Sequence, residues 1–343
     1  MDQMRRMTAR KQPPPLANHL RTLQRPGRKT LLGFVLIPQC SLMTFSCARE
    51  AFRMANERVG VPLFQHFLVG VEKGPIAMDG GERLLPDVDL DTAPHFDIIF
   101  LISGIAVTDY RNARLESWLR ARSRSGSVLA PIGCSAVLAA RAGLLDDHRC
   151  VTHWTLYDRF RTEFPKVKLV KGIFCIDGAV MTAAGGVAAF DLGLALVGNS
   201  SAADLVAQEA EIAIHDRPRP AVGHQRAAIT WRYGVEDARL VRAIALMESR
   251  LEDPLPLSRV AEVAGVSVRQ LERLCRTALG RGPRALYREI RLRQAQSLLC
   301  TTRVPLAEIA LACGFADASH LSRRYAELFG VSPSSERRVG RRA

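Results

Sequence analysis

A short pattern that occurs twice near the end of the chain constrains the fold more than any other feature. In the first copy Leu257, Val260, Ala261 and Ala264 mark one face of a short helix that Gly265 ends; in the second, Leu306, Ile309, Ala310 and Cys313 do the same before Gly314. Both copies place a small Ala four residues before a Gly, and the two Ala positions lie 49 residues apart. The Ala lets two helices cross closely, and the Gly supplies the positive φ of a sharp turn. After each turn a second helix is expected, with Leu271, Leu274 and Ala278 facing inward in one and Leu321, Tyr325 and Leu328 in the other. One such bend is common among helical hairpins. Two, joined by a long helix over residues 284 to 299, predict an all-α region from 237 to 338 with two helix-turn-helix units.

The faces left over once the inward residues are removed carry the chemistry. The first second-helix begins at Ser267 and turns Arg269, Gln270, Glu272, Arg273 and Arg276 outward; its counterpart turns out Ser319, His320, Ser322, Arg323 and Arg324. Arg can bridge guanine O6 and N7, Glu can accept from cytosine N4, and hydroxyls adapt to several bases. Arg276, Arg324, Arg288 and Arg291 are expected on phosphates, which set register without reading sequence. Charge supports this: residues 239 to 343 hold nineteen Arg, no Lys and ten acids, and residues 1 to 30 carry a net +7, so the middle of a +14 chain sits at −2. One part of the chain is suited to a polyanion and another to something small.

That middle part alternates short apolar runs with helical periods, the pattern of a parallel sheet covered by helices. Strands are expected over residues 31 to 37, 64 to 71, 96 to 102 and 128 to 132, and helices over 45 to 59, 110 to 122 and 136 to 144. The strand ending at Ile132 runs straight into Gly133-Cys134-Ser135 and a small-residue helix, which has the shape of a nucleophile elbow. Open α/β sheets bind ligands at the carboxyl ends of their strands. The domain so built spans residues 31 to 214. Pro218, Pro220, Gly223 and Gly234 make residues 215 to 236 a linker, while basic tails occupy 1 to 30, expected to be disordered, and 339 to 343.

Eight Cys without a C-x-x-C pair predict reduced thiols, with no metal and no cofactor. No apolar run approaches the roughly 18 to 20 residues of a membrane span, and no secretory leader is evident, so a cytoplasmic location away from the membrane is expected.

Two resemblances sharpen these expectations. The segments "EAFRMAN" (50–56), "APIGCSAVLAARAGLLDDHRCVTHW" (130–154) and "AAGGVAAFDLGLALV" (183–197) resemble the class I glutamine amidotransferase-like superfamily, PfpI branch, in the version that fronts GlxA-type regulators. The resemblance implies a flavodoxin-like fold. It also puts Gly133 where enzymes of that superfamily hold their nucleophile, with Cys134 one residue late, His153 at the family's His and Thr44 at a position that carries an acid. With one of three catalytic parts retained, the domain over 31 to 214 is read as a sensor and no catalytic residue is assigned. The resemblance thus implies an old active-site pocket at the carboxyl edge, which makes Ser103, Gly104, Gly133, Cys134, His153 and Trp154 the candidate ligand-binding residues. The segments "LSRVAEVAGVSVRQLERLCRTALGRGP" (257–283), "YREIRLRQAQSLL" (287–299) and "LAEIALACGFADASHLSRRYAELFGVSP" (306–333) resemble AraC/XylS DNA-binding domains. That likeness implies promoter DNA and RNA polymerase as partners, a homodimer, and activation in response to a small nitrogenous metabolite, an amino acid or quaternary amine. The alternatives are an amidohydrolase or glyoxalase-like enzyme using Cys134 and His153, and a general nucleoid-binding protein driven by the basic ends.

Overall fold

The computed structural model describes residues 28–60, 62–200, 203–225, 229–301 and 304–339, so the expected basic tails lie almost wholly outside the described residues. The chain divides into two compact units, one ending at Gln225 and one beginning at Arg226.

The first unit is built on a seven-stranded sheet. Its strands are β1 (Thr30–Leu36), β2 (Phe64–Gly70), β3 (Val88–Asp89), β4 (Ile98–Ile102), β5 (Val128–Ile132), β6 (Phe174–Asp177) and β7 (Val180–Ala183), in the order β6-β7-β5-β4-β1-β2-β3. Only β6 runs antiparallel to its neighbour; the other pairings are parallel. Strands buried on both faces read as unbroken apolar runs, and Ile98–Ile102 is buried at every position. Helices α1 (Leu42–Val59), α2 (Ala113–Arg124), α3 (Ala136–Arg141), α4 (Tyr157–Glu163), α5 (Val187–Ser200) and α6 (Ala203–Ile212) complete the unit. Phe45, Phe52 and Leu192 join Phe34 and Phe100 in one apolar cluster, and Leu115, Leu119 and Val137 join Val35 and Leu101 in another. Alternate residues of a strand point to opposite faces, which is why neighbours on β1 and β4 divide between the two clusters. The chain leaves β1 toward β2 and returns to β4 on its other side, so the sheet reverses its winding beside β1. Such a reversal opens a crevice at the carboxyl edge.

The second unit is helical: α7 (Ile229–Tyr233), α8 (Ala238–Ser249), α9 (Leu257–Ala264), α10 (Val268–Leu279), α11 (Pro283–Thr301), α12 (Leu306–Ala312), α13 (Ala318–Phe329) and α14 (Pro333–Val339). Both turn glycines are left-handed, Gly265 at φ +74 and Gly314 at φ +69. A Cβ at Gly314 would also meet the Leu251 carbonyl at 2.5 Å. The two helix-turn-helix units have separate cores. Leu286, Tyr287 and Ile290, from the first half of α11, pack with α8 to α10, whereas Leu292, Ala295 and Leu299, from its second half, pack with α12 and α13.

The inward stripe differs in detail from the sequence expectation. Leu271 and Cys275 are the buried pair of α10, and Leu321 and Tyr325 that of α13; Leu274 is half-buried, while Ala278 and Leu328 are exposed. A helix this short meets its partner over about one turn, so positions i and i+4 are covered and i+7 passes the edge of the contact.

Candidate functional site

The outward faces of α10 and α13 start at two side-chain caps. Ser267 Oγ accepts from the Gln270 amide at 3.2 Å while Gln270 Oε1 accepts from the Ser267 amide at 2.8 Å, a reciprocal box that fixes the first turn of α10. Asp317 does this for α13, its Oδ1 accepting from the His320 amide at 2.7 Å. Beyond the caps, Arg269, Glu272, Arg273 and Arg276 stand exposed on α10, and Ser319 and Arg323 on α13. The rest of the α13 set is more tied down. His320 is half-buried with its ring edge-on to Phe315 at 5.5 Å, Ser322 is half-buried, and Arg324 pairs with Glu327 at 2.9 Å.

Elsewhere in this unit arginines are mostly spoken for: Arg232 binds Glu248, Arg239 binds Asp237, Arg259 binds Glu262, and Arg281 and Arg293 share Glu289. Among the described residues none of Arg269, Arg273, Arg276, Arg284, Arg288 and Arg323 forms a direct ion pair, although the field of Glu327, held by Arg324, reaches Arg288 and Arg323. A guanidinium left without an acid presents its donors to solvent or to an incoming anion. Arg284 and Arg288, on the exposed side of α11, line a cleft of about 420 Å³ together with Pro256, Phe315, His320 and Arg324. The cleft therefore joins the start of the first helix-turn-helix unit to the recognition helix of the second.

Arg291, expected on phosphate, also has partners within the chain that the sequence did not reveal. Its Nε donates to the Cys313 carbonyl at 2.8 Å and its Nη2 to the Gly314 carbonyl at 2.6 Å, with the guanidinium stacked 4.3 Å from the Phe315 ring. These bonds brace the turn, because the last carbonyls of a helix have no partner within the helix, and Arg291 also lines the cleft beside Arg288. Arg242, which sequence reasoning missed, donates from Nη2 to the Ala264 carbonyl at 2.9 Å in the first turn. The 49-residue spacing of Arg242 and Arg291 matches that of the two bends and is the signal that could have found both.

In the first unit the sequence-predicted ligand residues divide. Ser103 and Gly104 follow β4, and Gly133 follows β5. A Cβ at Gly104 would strike the Gln39 carbonyl at 2.2 Å, so the loops after β1 and β4 touch backbone to backbone. Gly133 holds the strained elbow position at φ +66, and a Cβ there would lie 3.4 Å from the Gly185 Cα, beyond β7. Thr44 Oγ1 accepts from the Gly186 amide at 3.0 Å and ties α1 to the start of α5. Ser103 is buried, its Oγ without a hydrogen-bond partner. Thr152 Oγ1 donates to the Gly133 carbonyl at 3.2 Å, which attaches the His153-Trp154 loop to the same edge. His153 Nδ1 lies 2.7 Å from Thr155 Oγ1, and burial pushes its pKa below the ordinary imidazole value; Trp154 sits 5.7 Å from that ring and is 36% exposed.

Cys134 is placed apart from this edge. Its thiol is 4% exposed within an apolar cluster and is pushed up to about 12 by burial alone, with no cation to lower it. A nucleophilic thiol needs the opposite environment, electropositive and accessible. Among the described residues no group of His, Cys, Asp or Glu is arranged to hold a metal ion, and no helix is long and apolar enough to cross a membrane.

Comparison with known proteins decides the family. The DJ-1/PfpI family pattern matches residues 38–199 and a helix-turn-helix domain pattern matches residues 260–338. The HTH-type transcriptional regulator CdhR of Pseudomonas aeruginosa is 36% identical over 306 residues, which are 89% of this chain and 91% of that one. The chain belongs to the GlxA-type, AraC-family HTH transcriptional regulators. GlxA of Rhizobium meliloti is 32% identical to this regulator over 309 residues, 90% and 95% of the two chains. For fold alone, the regulator is similar to a crystal structure of an AraC family transcriptional regulator from Pseudomonas putida. That likeness has a TM-score of 0.50 and 22% identity over 54% of this chain and 99% of the other. A ThiJ/PfpI family protein from Pseudomonas syringae gives 0.50 and 17% over 60% and 81%. The regulator thus binds DNA through its helical unit, and its relatives are regulators rather than enzymes of the PfpI type.

Proposed function

We propose that this regulator reads promoter DNA with α10 and α13 under the control of a small metabolite bound at the carboxyl edge of its sheet. The observation that carries the first half is that six exposed arginines without an ion pair, Arg269, Arg273, Arg276, Arg284, Arg288 and Arg323, lie on α10, α11 and α13. In this reading Arg269, Glu272 and Arg273 on one helix, and Ser319, Ser322 and Arg323 on the other, contact base edges. His320 adds a ring edge at the cleft. The helices enter successive major grooves about 34 Å apart on one face of the duplex. Arg276, Arg284, Arg288 and Arg324 hold phosphates, and Ser267 and Gln270 contribute by fixing the start of α10.

For the second half, Gly104 meets Gln39 where the sheet reverses, Gly133 meets Gly185 at the neighbouring ends of β5 and β7, and the neutral His153 and half-open Trp154 follow Thr152, which is bonded to Gly133. An indole face attracts an ammonium group, which favours an amino acid or quaternary amine as effector. Activation through RNA polymerase, a homodimeric state and a cytoplasmic location complete the reading.

Genome-wide footprinting of the tagged protein tests it, with sharp sites upstream of operons for nitrogenous metabolites expected. Diffuse protection that fades steeply with salt would instead mark a nonspecific binder. Isothermal titration with amino acids and quaternary amines tests the effector class, and heat from none of them removes it.

A further inference from the structure

Residues 215 to 225, expected as free linker, are fastened to the first unit at both ends. At the near end the fully buried carboxylate of Asp191, on α5, accepts from His215 Nε2 at 2.9 Å and, through its other oxygen, from Arg219 Nε at 2.9 Å and Nη2 at 2.6 Å. The Arg219 amide adds a further bond to Asp191 Oδ1 at 2.7 Å. In the middle, the Ile173 amide donates to the Ala221 carbonyl at 2.9 Å, and the approach is so close that a Cβ at Gly172 would sit 2.5 Å from that oxygen. At the far end Gln225 Nε2 donates to the carbonyls of Thr152 at 2.9 Å and Gly172 at 2.8 Å.

We infer that this segment is a strap through which occupancy of the sheet-edge site is relayed to the DNA-binding unit, with Gln225 as the relay residue. The inference rests on the effector reading above and specifies how it is regulated. Thr152 is held twice, its hydroxyl on the Gly133 carbonyl of the elbow and its own carbonyl on Gln225. A ligand that displaces Gly133 or His153 must move the peptide between them. Gln225 then loses or reshapes one of its two Nε2 bonds, leaving the bond to the Gly172 carbonyl. Gln225 is the last residue of the first unit, so the strap is the stretch of that unit that precedes the second in sequence. The anchor at Asp191 has four bonds and does not involve Thr152, so the relay is assigned to the Gln225 end of the strap. A ligand shifts such an equilibrium only through its differential contacts with the two states, and here those contacts meet at Thr152.

Hydrogen exchange of the full chain, read by mass spectrometry with a footprinted duplex as probe, tests the strap without a known effector, because coupling between two sites is reciprocal. Exchange over residues 150 to 156 is expected to change at least about threefold when the duplex binds. Gln225→Glu, which sets a carboxylate against two carbonyl oxygens, abolishes that response, and Gln225→Ala does so without adding charge. His224→Ala, at an exposed neighbour, keeps it. Wild-type exchange indifferent to the duplex, or Gln225 variants that respond like wild type, overturns the relay. Titration of wild type with choline, glycine and arginine scores the effector reading separately. Binding without a duplex response keeps that reading and rejects the strap. A duplex response lost in the Gln225 variants, with no binding of the three compounds, keeps the strap and rejects that ligand class.

Discussion

The guanidinium of Arg291 closes the end of α12 by donating to the Cys313 carbonyl, 49 residues after Arg242 does the same for the Ala264 carbonyl at the end of α9. The repeat thus includes the residue that braces each bend as well as the bend itself. Arg291→Met keeps the apolar stem and removes two donors from carbonyls that have few alternatives. A loss of ~1 to 3 kcal/mol is expected, measured as a lower urea midpoint. DNA affinity should fall by a similar factor on every sequence, because the second recognition helix loosens as a whole. A variant as stable as wild type would show that water replaces the guanidinium without cost.

Arg273 is exposed in the middle of α10 and forms no ion pair among the described residues. Arg273→Ala should cost ~1 to 3 kcal/mol on the footprinted site and relax base choice at a single position. Fluorescence anisotropy against a set of singly substituted duplexes reads both effects. Unchanged affinity and unchanged base ranking would remove Arg273 from the reading helix.

Arg288, in the cleft on α11, is expected to behave differently. Arg288→Ala should weaken binding about equally across sequences and reduce the slope of log affinity against log salt by about 1. The same titrations at several salt concentrations measure it, and a sequence-dependent loss would assign Arg288 to a base instead.

Cys134 is expected to resist alkylation. A thiol held protonated until about pH 12 has almost no thiolate at pH 8, so iodoacetamide followed by mass spectrometry should label the exposed Cys300 long before Cys134. Rapid labelling of Cys134 in the folded chain would return the enzyme reading to contention.

Glu209 sets a pH dependence. It is 1% exposed on α6, both carboxylate oxygens lack hydrogen-bond partners, and burial raises its pKa to about 7. The folded state holds its proton over a range where the unfolded chain, near 4.5, has released it. Stability from this group is therefore full below the unfolded value and is lost as pH rises through about 7. Glu209→Gln should raise the melting temperature above pH 7 and leave it nearly unchanged at pH 5. Parallel melting curves across that range would exclude the effect.

Much of this architecture was legible in the sequence, for reasons that also mark where legibility stops. Ile98–Ile102 reads as a buried strand because every residue is apolar, and Gly314 reads as a turn because only glycine takes that φ cheaply. The elbow was legible in its turn, since Gly133 stands at positive φ, but Cys134, expected among the ligand-binding residues, turns into the apolar core. Arg291 was not, because an arginine on an amphipathic helix looks the same whether it meets a phosphate or a carbonyl 22 residues onward. The strap was hidden for a related reason. Pro218, Pro220 and Gly223 forbid regular structure, but whether such a segment hangs free depends on partners distant in sequence, here Asp191 and Thr152.

The long helix α11 gives one half of its length to each of two apolar cores, with the divide between Ile290 and Leu292. The reading head is in consequence a pair of small beads on a single spindle. Each bead keeps an apolar core of its own, and the two meet where the Gly314 turn packs against the Leu251 carbonyl. A substitution inside one core therefore acts first on its own reading helix, which lets the two halves of a recognised site change one at a time.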